Sequence, residues 1–274
     1  MAETETSPIS QLWTGLGRAF GGALIFGLPM LMTMELWQLG FSVDRLRMAL
    51  LLLFTMPLLA ALARQVGFEK TRNWIEAARD GLIALFIAAL ASGVILVLFG
   101  VITTETPLRE IVGKIVIQSA PASIGALLAR SQLGGDGGRA DDREETYWGE
   151  LFLMSVGALF LSLNVAPTEE MVLISYVMSP WHGLGLIALS LLLMHGFVYA
   201  VSFKGGSELS PDMPWWSGFL RFTLVGYVLG LLLSLTVLWI FGRTEGVGVY
   251  QNLMSVVVLG FPAAIGAAAA RLIL

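Results

Sequence analysis

The feature that most constrains this chain is a series of eight apolar runs, at 16–38, 47–65, 80–102, 109–129, 149–166 (with an extension to 178), 183–204, 216–241 and 251–273. A helix of about 20 apolar residues crosses the roughly 30 Å hydrocarbon core of a bilayer. In lipid every backbone N–H and C=O must be satisfied internally, which a helix does within its own segment. The expected fold class is therefore all-α, a polytopic membrane helix bundle of about eight transmembrane helices. Composition agrees: 56% of the residues are hydrophobic, 13% are charged, and mean hydropathy is +0.79. A soluble domain carries about 25% charged residues, so this chain has too little polar surface for water.

Composition also excludes several functions. With a net charge of −4 and no basic stripe, phosphate backbones are poor partners, and no nucleic acid is expected. The chain has no cysteine, which removes disulfides and thiolate metal sites. Its two histidines leave too few ligands for a catalytic zinc. No phosphate-binding G-x-x-x-x-G-K-[ST] loop, G-x-S-x-G elbow or H-E-x-x-H pair occurs. The chain is thus expected not to be an enzyme, and no cofactor is implied. The opening MAETETSPIS lacks the basic start of a cleaved leader, so the first membrane helix is expected to direct insertion.

The sequence repeats itself. PASIGALLAR at 121–130 returns as PAAIGAAAAR at 262–271, with seven of ten positions identical at an offset of 141. LFG at 98–100 matches IFG at 240–242, and Arg79 matches Arg221, both at an offset of 142. GALIFGLPMLMTMEL at 22–36 aligns with GALFLSLNVAPTEEM at 157–171 at an offset of 135, pairing Thr33 with Thr168 and Glu35 with Glu170. The reading is two tandem parallel four-helix repeats, 16–130 and 148–274, after a tail over 1–15 and joined by a polar linker over 131–147. Four helices per repeat return each to the side where it began. The two would be related by an axis along the membrane normal, with a substrate site expected at their interface. The stripes Ala122, Gly125, Ala126, Ala129 and Ala263, Gly266, Ala267, Ala270 suit close helix packing in lipid.

Basic residues set the expected orientation. Eleven Lys and Arg fall on the side of both termini and the 131–147 linker, against five on the other side. The positive-inside rule then puts both termini in the cytoplasm and the chain in a bacterial inner (plasma) membrane. The expected partners are the lipid bilayer and cations or protons; the composition is also compatible with a homo-oligomer.

The candidate ion- or substrate-binding residues are Glu35, Glu170, Glu169, Asn164 and His195. A carboxylate within a spanning segment costs about 2.5–3.5 kcal/mol at mid-bilayer and normally faces a cavity, a partner or an ion. Glu35 and Glu170 stand at matching positions, so a pseudosymmetric pair could bind a cation or exchange a proton; a place in water at the outer interface is the alternative for each. Asn164 precedes Pro167, Thr168, Glu169 and Glu170, and proline followed by acidic residues starts a helix. A helix broken there, and in the first repeat at Gly27 and Pro29, which align with Ser162 and Asn164, would free backbone groups for ions, whereas a surface-lying second helix would not. His195 lies in the apolar run LLLMHGFVY and is either a proton relay or a histidine hydrogen-bonded to a neighbouring helix.

TMEL at 33–36, NVAPTEEM at 164–171 and the count of about eight helices together resemble a bacterial family of integral membrane proteins of unknown function. The resemblance implies a membrane setting over nearly the whole chain and implies no activity. The functional expectation is a secondary transporter of a cation or a proton-coupled solute. A passive ion channel, or a non-transporting scaffold or sensor, is the alternative.

Overall fold

The computed structural model describes residues 8–66, 73–133, 146–202 and 215–273, and no strand occurs among them. Among these residues eight helices are long and apolar enough to cross a membrane. The chain divides into two compact units, Met1–Arg139 and Ala140–Leu274. The division falls within the expected linker, of which 134–145 lies outside the described residues.

Unit 1 contains α1 (Pro8–Leu31), α2 (Met34–Ser42), α3 (Arg45–Val66), α4 (Trp74–Leu98) and α5 (Leu108–Leu133). α5 is the central helix, packed against α1, α2, α3 and α4. This position explains why the run at 109–129 is the least apolar of the unit's spans. Lys114, Gln118, Ser119 and Ser123 are all buried, and each donates a hydrogen bond to a backbone carbonyl. Among the described helices α1 and α5 run antiparallel, as the contacts of Gly22 with Ala129 and Gly27 with Ala122 require.

Unit 2 contains α6 (Tyr147–Val165), α7 (Glu169–Val177), α8 (Pro180–Ser202), α9 (Trp215–Gly218), a π-helical turn (Phe219–Leu224), α10 (Val225–Ile240) and α11 (Val249–Ile273). Here α11 is central and packs against α6, α7, α8 and α10. Its small residues Ala263, Ala264, Ala267 and Ala268 join Leu151, Met154, Ala158, Met194 and Tyr227 in one buried cluster.

The small-residue stripes are filled within each unit. A Cβ on Gly22 would meet the carbonyl oxygen of Gly125 at 2.6 Å. A Cβ on Gly157 would meet the carbonyl oxygen of Gly266, and the Ala270 Cβ at 2.6 Å. Only glycine permits such backbone approach, and dispersion over the joined surfaces holds helices together where no hydrophobic drive exists. Gly22 and Gly157 are aligned by the sequence repeat, as are Gly125 and Gly266.

The first run is discontinuous. It does not continue as one helix to residue 38: α1 stops at Leu31, and α2 starts at Met34 after Thr33, whose backbone is extended (ψ 115°). The Thr33 hydroxyl turns back onto the Pro29 carbonyl at 2.7 Å, competing with continuation of the helix. Pro29 itself lies inside α1. Unit 2 breaks at the aligned place, between Val165 and Glu169. The end of each unit that carries α2 or α7 is called distal below, and the opposite end proximal.

Candidate functional site

At the distal end of unit 1 the last carbonyls of α1 are accounted for one by one. Pro29 accepts from the Thr33 hydroxyl, Met30 from Thr33 N at 3.0 Å and from Gln118 Nε2 at 3.3 Å, and Leu31 from Trp37 Nε1 at 2.7 Å. A helix end normally leaves such carbonyls to water or a ligand. Here protein donors reach all three.

Past the break, Glu35 stands in the first turn of α2 and is partly exposed. It makes no hydrogen bond or ion pair with any described residue. α2 is seated on α5 by a close approach at Gly40, where a Cβ would meet the backbone N and Cα of Lys114 at 2.7 Å. Lys114 is 7% exposed; its Nζ lies 2.6 Å from Glu110 Oε1 and donates to the Val101 carbonyl at 3.2 Å.

The distal end of unit 2 has the same layout with different chemistry. The Asn164 amide donates to the Phe160 carbonyl at 2.8 Å, within its own helix. Thr168 donates to the Val165 carbonyl at 2.8 Å, and Arg243 Nη2 donates to the Pro167 carbonyl. A cation on the carbonyls after a helix C-terminus is electrostatically favourable. Glu169 and Glu170 occupy the first turn of α7, exposed and without a partner among the described residues. α7 is held on α11 by a neutral cluster: Gln251 Nε2 donates to Ser175 Oγ at 2.8 Å, and Ser255 Oγ to Ser175 Oγ at 3.0 Å.

Within unit 2 the candidate residues do not form one cluster. Glu169, Glu170 and Asn164 share the α6–α7 break, and Glu35 stands at the matching break of unit 1. His195 belongs to the proximal half of unit 2, about 22 Å along α8 from its start. Its Nδ1 lies 3.1 Å from Thr223 Oγ1, the hydrogen-bonded arrangement foreseen as its structural alternative. Among the described residues no group of three His, Asp or Glu is placed to hold a metal ion.

Three buried charges were not singled out as site residues. Lys114 could have been found from Glu110 four residues before it, the spacing of a helical ion pair. Asp80 is 3% exposed and pairs with Arg79 Nε at 3.7 Å. Glu150, 7% exposed in the first turn of α6, carries no sequence signal of burial.

Chemically, each unit presents a carboxylate at its distal end, next to a helix break whose carbonyls accept hydrogen bonds within the protein. Such groups can take a cation or a proton. Residues 15–274 match the model of a family described as "Putative integral membrane protein (DUF2391)". No curated protein and no solved structure matches the chain.

Proposed function

The chain belongs to the DUF2391 family of integral membrane proteins, and from that premise we propose that it is a secondary transporter of a cation or of a proton-coupled solute. Glu35 and Glu170 are its coupling carboxylates. The observation that carries the reading is the helix break that recurs in both units and places a Thr-x-Glu carboxylate in the first turn of the short helix that follows. Discontinuous helices in repeated halves are where secondary transporters bind their ions. Because the break carbonyls of unit 1 are bonded within the protein, the carboxylates themselves are the ligands. Matched glycine contacts, Gly22 with Gly125 and Gly157 with Gly266, support duplication of one ancestral unit. The bias of Lys and Arg toward the termini side supports a cytoplasmic location for both termini and insertion in the bacterial inner membrane.

Exposure of Glu169 and Glu170 favours one alternative, a passive channel with these groups as a charged ring at its mouth.

The test is flux in proteoliposomes, following internal pH and cation uptake for wild type, Glu35→Gln and Glu170→Gln at equal reconstitution. Movement that either substitution abolishes, and that one ion gradient can drive against another, supports the transporter. Flux that only ever runs down its own gradient supports the channel. No flux across a panel of monovalent and divalent cations overturns both.

A further inference from the structure

We propose that His195 is a proton-binding residue whose ionisation is read out by the π-helical turn of unit 2. This goes beyond the transport reading and does not rest on it.

The first observation is the turn itself. Phe219–Leu224 forms a π-helical turn between α9 and α10. An i→i−5 turn is rare, occurs mostly as a single insertion in an α-helix, and concentrates at functional sites. Two hydrogen bonds hold it from outside. Thr223, fully buried, meets His195 Nδ1 at 3.1 Å, and Tyr147 on α6 donates its hydroxyl to the Arg221 carbonyl at 3.0 Å. The Phe219 ring lies edge-on to the imidazole at 5.3 Å, and Phe222 packs on Tyr147 at 5.4 Å.

The second observation is that unit 1 builds the same crossing without any of this. The repeat offset of 142 aligns Thr223 with Gly81, which faces Leu59 and Ala60 of α3 as Thr223 faces His195 of α8. In unit 1, α4 is uninterrupted α-helix there, and a Cβ on Gly81 would meet Leu59 Cβ at 3.1 Å and Ala60 N at 3.3 Å. A glycine and an alanine suffice to pack the crossing. The imidazole, the hydroxyl and the inserted turn are therefore not needed for packing. A polar group that a membrane crossing does not need structurally is a functional group by default.

The chemistry follows from the donor inventory. With His195 neutral and its lone pair on Nδ1, the Thr223 hydroxyl donates to it. A proton that binds at Nδ1 reverses this bond: Nδ1–H now donates to Oγ1, and the hydroxyl hydrogen must turn to another acceptor. The carbonyls of its own turn are the natural acceptors for a threonine in a helix. Proton binding thus changes the hydrogen bonding of the very turn that the pair holds. His195 lies in the last third of α8, seven residues before its end at Ser202. The titratable groups on the elements around it are Arg221 on the turn, Tyr227 on α10, Tyr147 and Glu150 on α6, and Tyr250 and Arg271 at the two ends of α11.

The chain has only two histidines, so ring-labelled histidine gives two NMR signals, assigned with His182→Asn and His195→Asn. The experiment follows these signals in nanodiscs from pH 5 to 8, together with hydrogen exchange at the amides of Phe219–Leu224. A His195 that binds a proton gives a signal that shifts with pH. Exchange in the turn, corrected for its intrinsic pH dependence, is expected to change about tenfold across that titration. Thr223→Val should abolish the change and Thr223→Ser should keep it. A His195 signal that does not move overturns the proposal, and so does a change of exchange that survives Thr223→Val or His195→Asn. Neither readout requires flux, so failure here is separate from failure of the transport reading.

Discussion

Trp37 Nε1 donates to the Leu31 carbonyl at 2.7 Å, bridging from the short α2 back to the end of α1. The bond spans the break that interrupts the first apolar run, and it replaces the backbone partner that a continuous helix would have supplied. Trp37→Phe keeps most of the ring and removes the donor. The carbonyl is then left half-buried without a partner, a loss of about 1–2 kcal/mol. Thermal unfolding in detergent should show a lower Tm for this variant, and a Trp37→Phe protein as stable as wild type would show the bond to be dispensable.

Glycine spacing predicts a sharper contrast. A Cβ on Gly22 runs into the backbone of α5, whereas a Cβ on its neighbour Gly21 meets nothing within 4 Å. Gly22→Ala must push α1 off α5 and should cost about 1–3 kcal/mol, as overpacked interiors do. Gly21→Ala should be neutral or stabilising by up to about 1 kcal/mol, since it only improves helix propensity. Gly157→Ala should behave like Gly22→Ala. Tryptophan-fluorescence unfolding of the three variants checks the order.

The eight spans were legible because lipid imposes length and apolarity on each of them. The α6–α7 break was legible too, since Pro167 and the acidic pair after Thr168 announce a helix start. The α1–α2 break was legible only through the repeat, which sets Gly27 and Pro29 against Ser162 and Asn164, because Met30, Leu31, Met32, Met34 and Leu36 keep the run apolar straight through it. In the structure the hydroxyl of Thr33 and the indole of Trp37, acting on backbone carbonyls, mark it. The π turn left no trace: FLRFTL reads as ordinary helix, and what holds it is Tyr147 and His195 from distant segments. For the carboxylates, sequence gave depth along the chain but not surroundings. Glu35 and Glu170 turned out to share a position in the fold and to lack partners, while Asn164 is bound to its own helix.

Lack of partners has a measurable consequence. Glu35, Glu169 and Glu170 have no hydrogen-bond or ion-pair partner among the described residues, which leaves the helix dipole of their own short helices, worth about 0.3–1 kcal/mol at exposed sites. Glu35→Gln and Glu170→Gln should therefore unfold within about 1 kcal/mol of wild type. Any loss of flux in these variants then reports on the site and not on the fold. A loss of several kcal/mol in either would mean that the carboxylate is structural.

The Lys114–Glu110 pair should respond in the opposite way. Their side chains are 9% and 28% exposed, so the ammonium depends on the carboxylate for most of its compensation. Glu110→Gln leaves the charge buried against the Val101 carbonyl alone. Removing one partner of a buried pair costs about 3–5 kcal/mol, which the partial exposure of Glu110 reduces to on the order of 2 kcal/mol. Adding Lys114→Met removes the stranded charge, and the double variant should regain most of that loss, because replacement of a whole pair by apolar groups is often neutral. Unit 2 shows that charge is not needed at this junction: the aligned positions hold Gln251 and Ser255, bonded to Ser175 without any ion pair. Unfolding of the two single variants and the double measures the coupling directly. Additive losses would show that Lys114 and Glu110 stabilise the α2–α5 junction independently of each other.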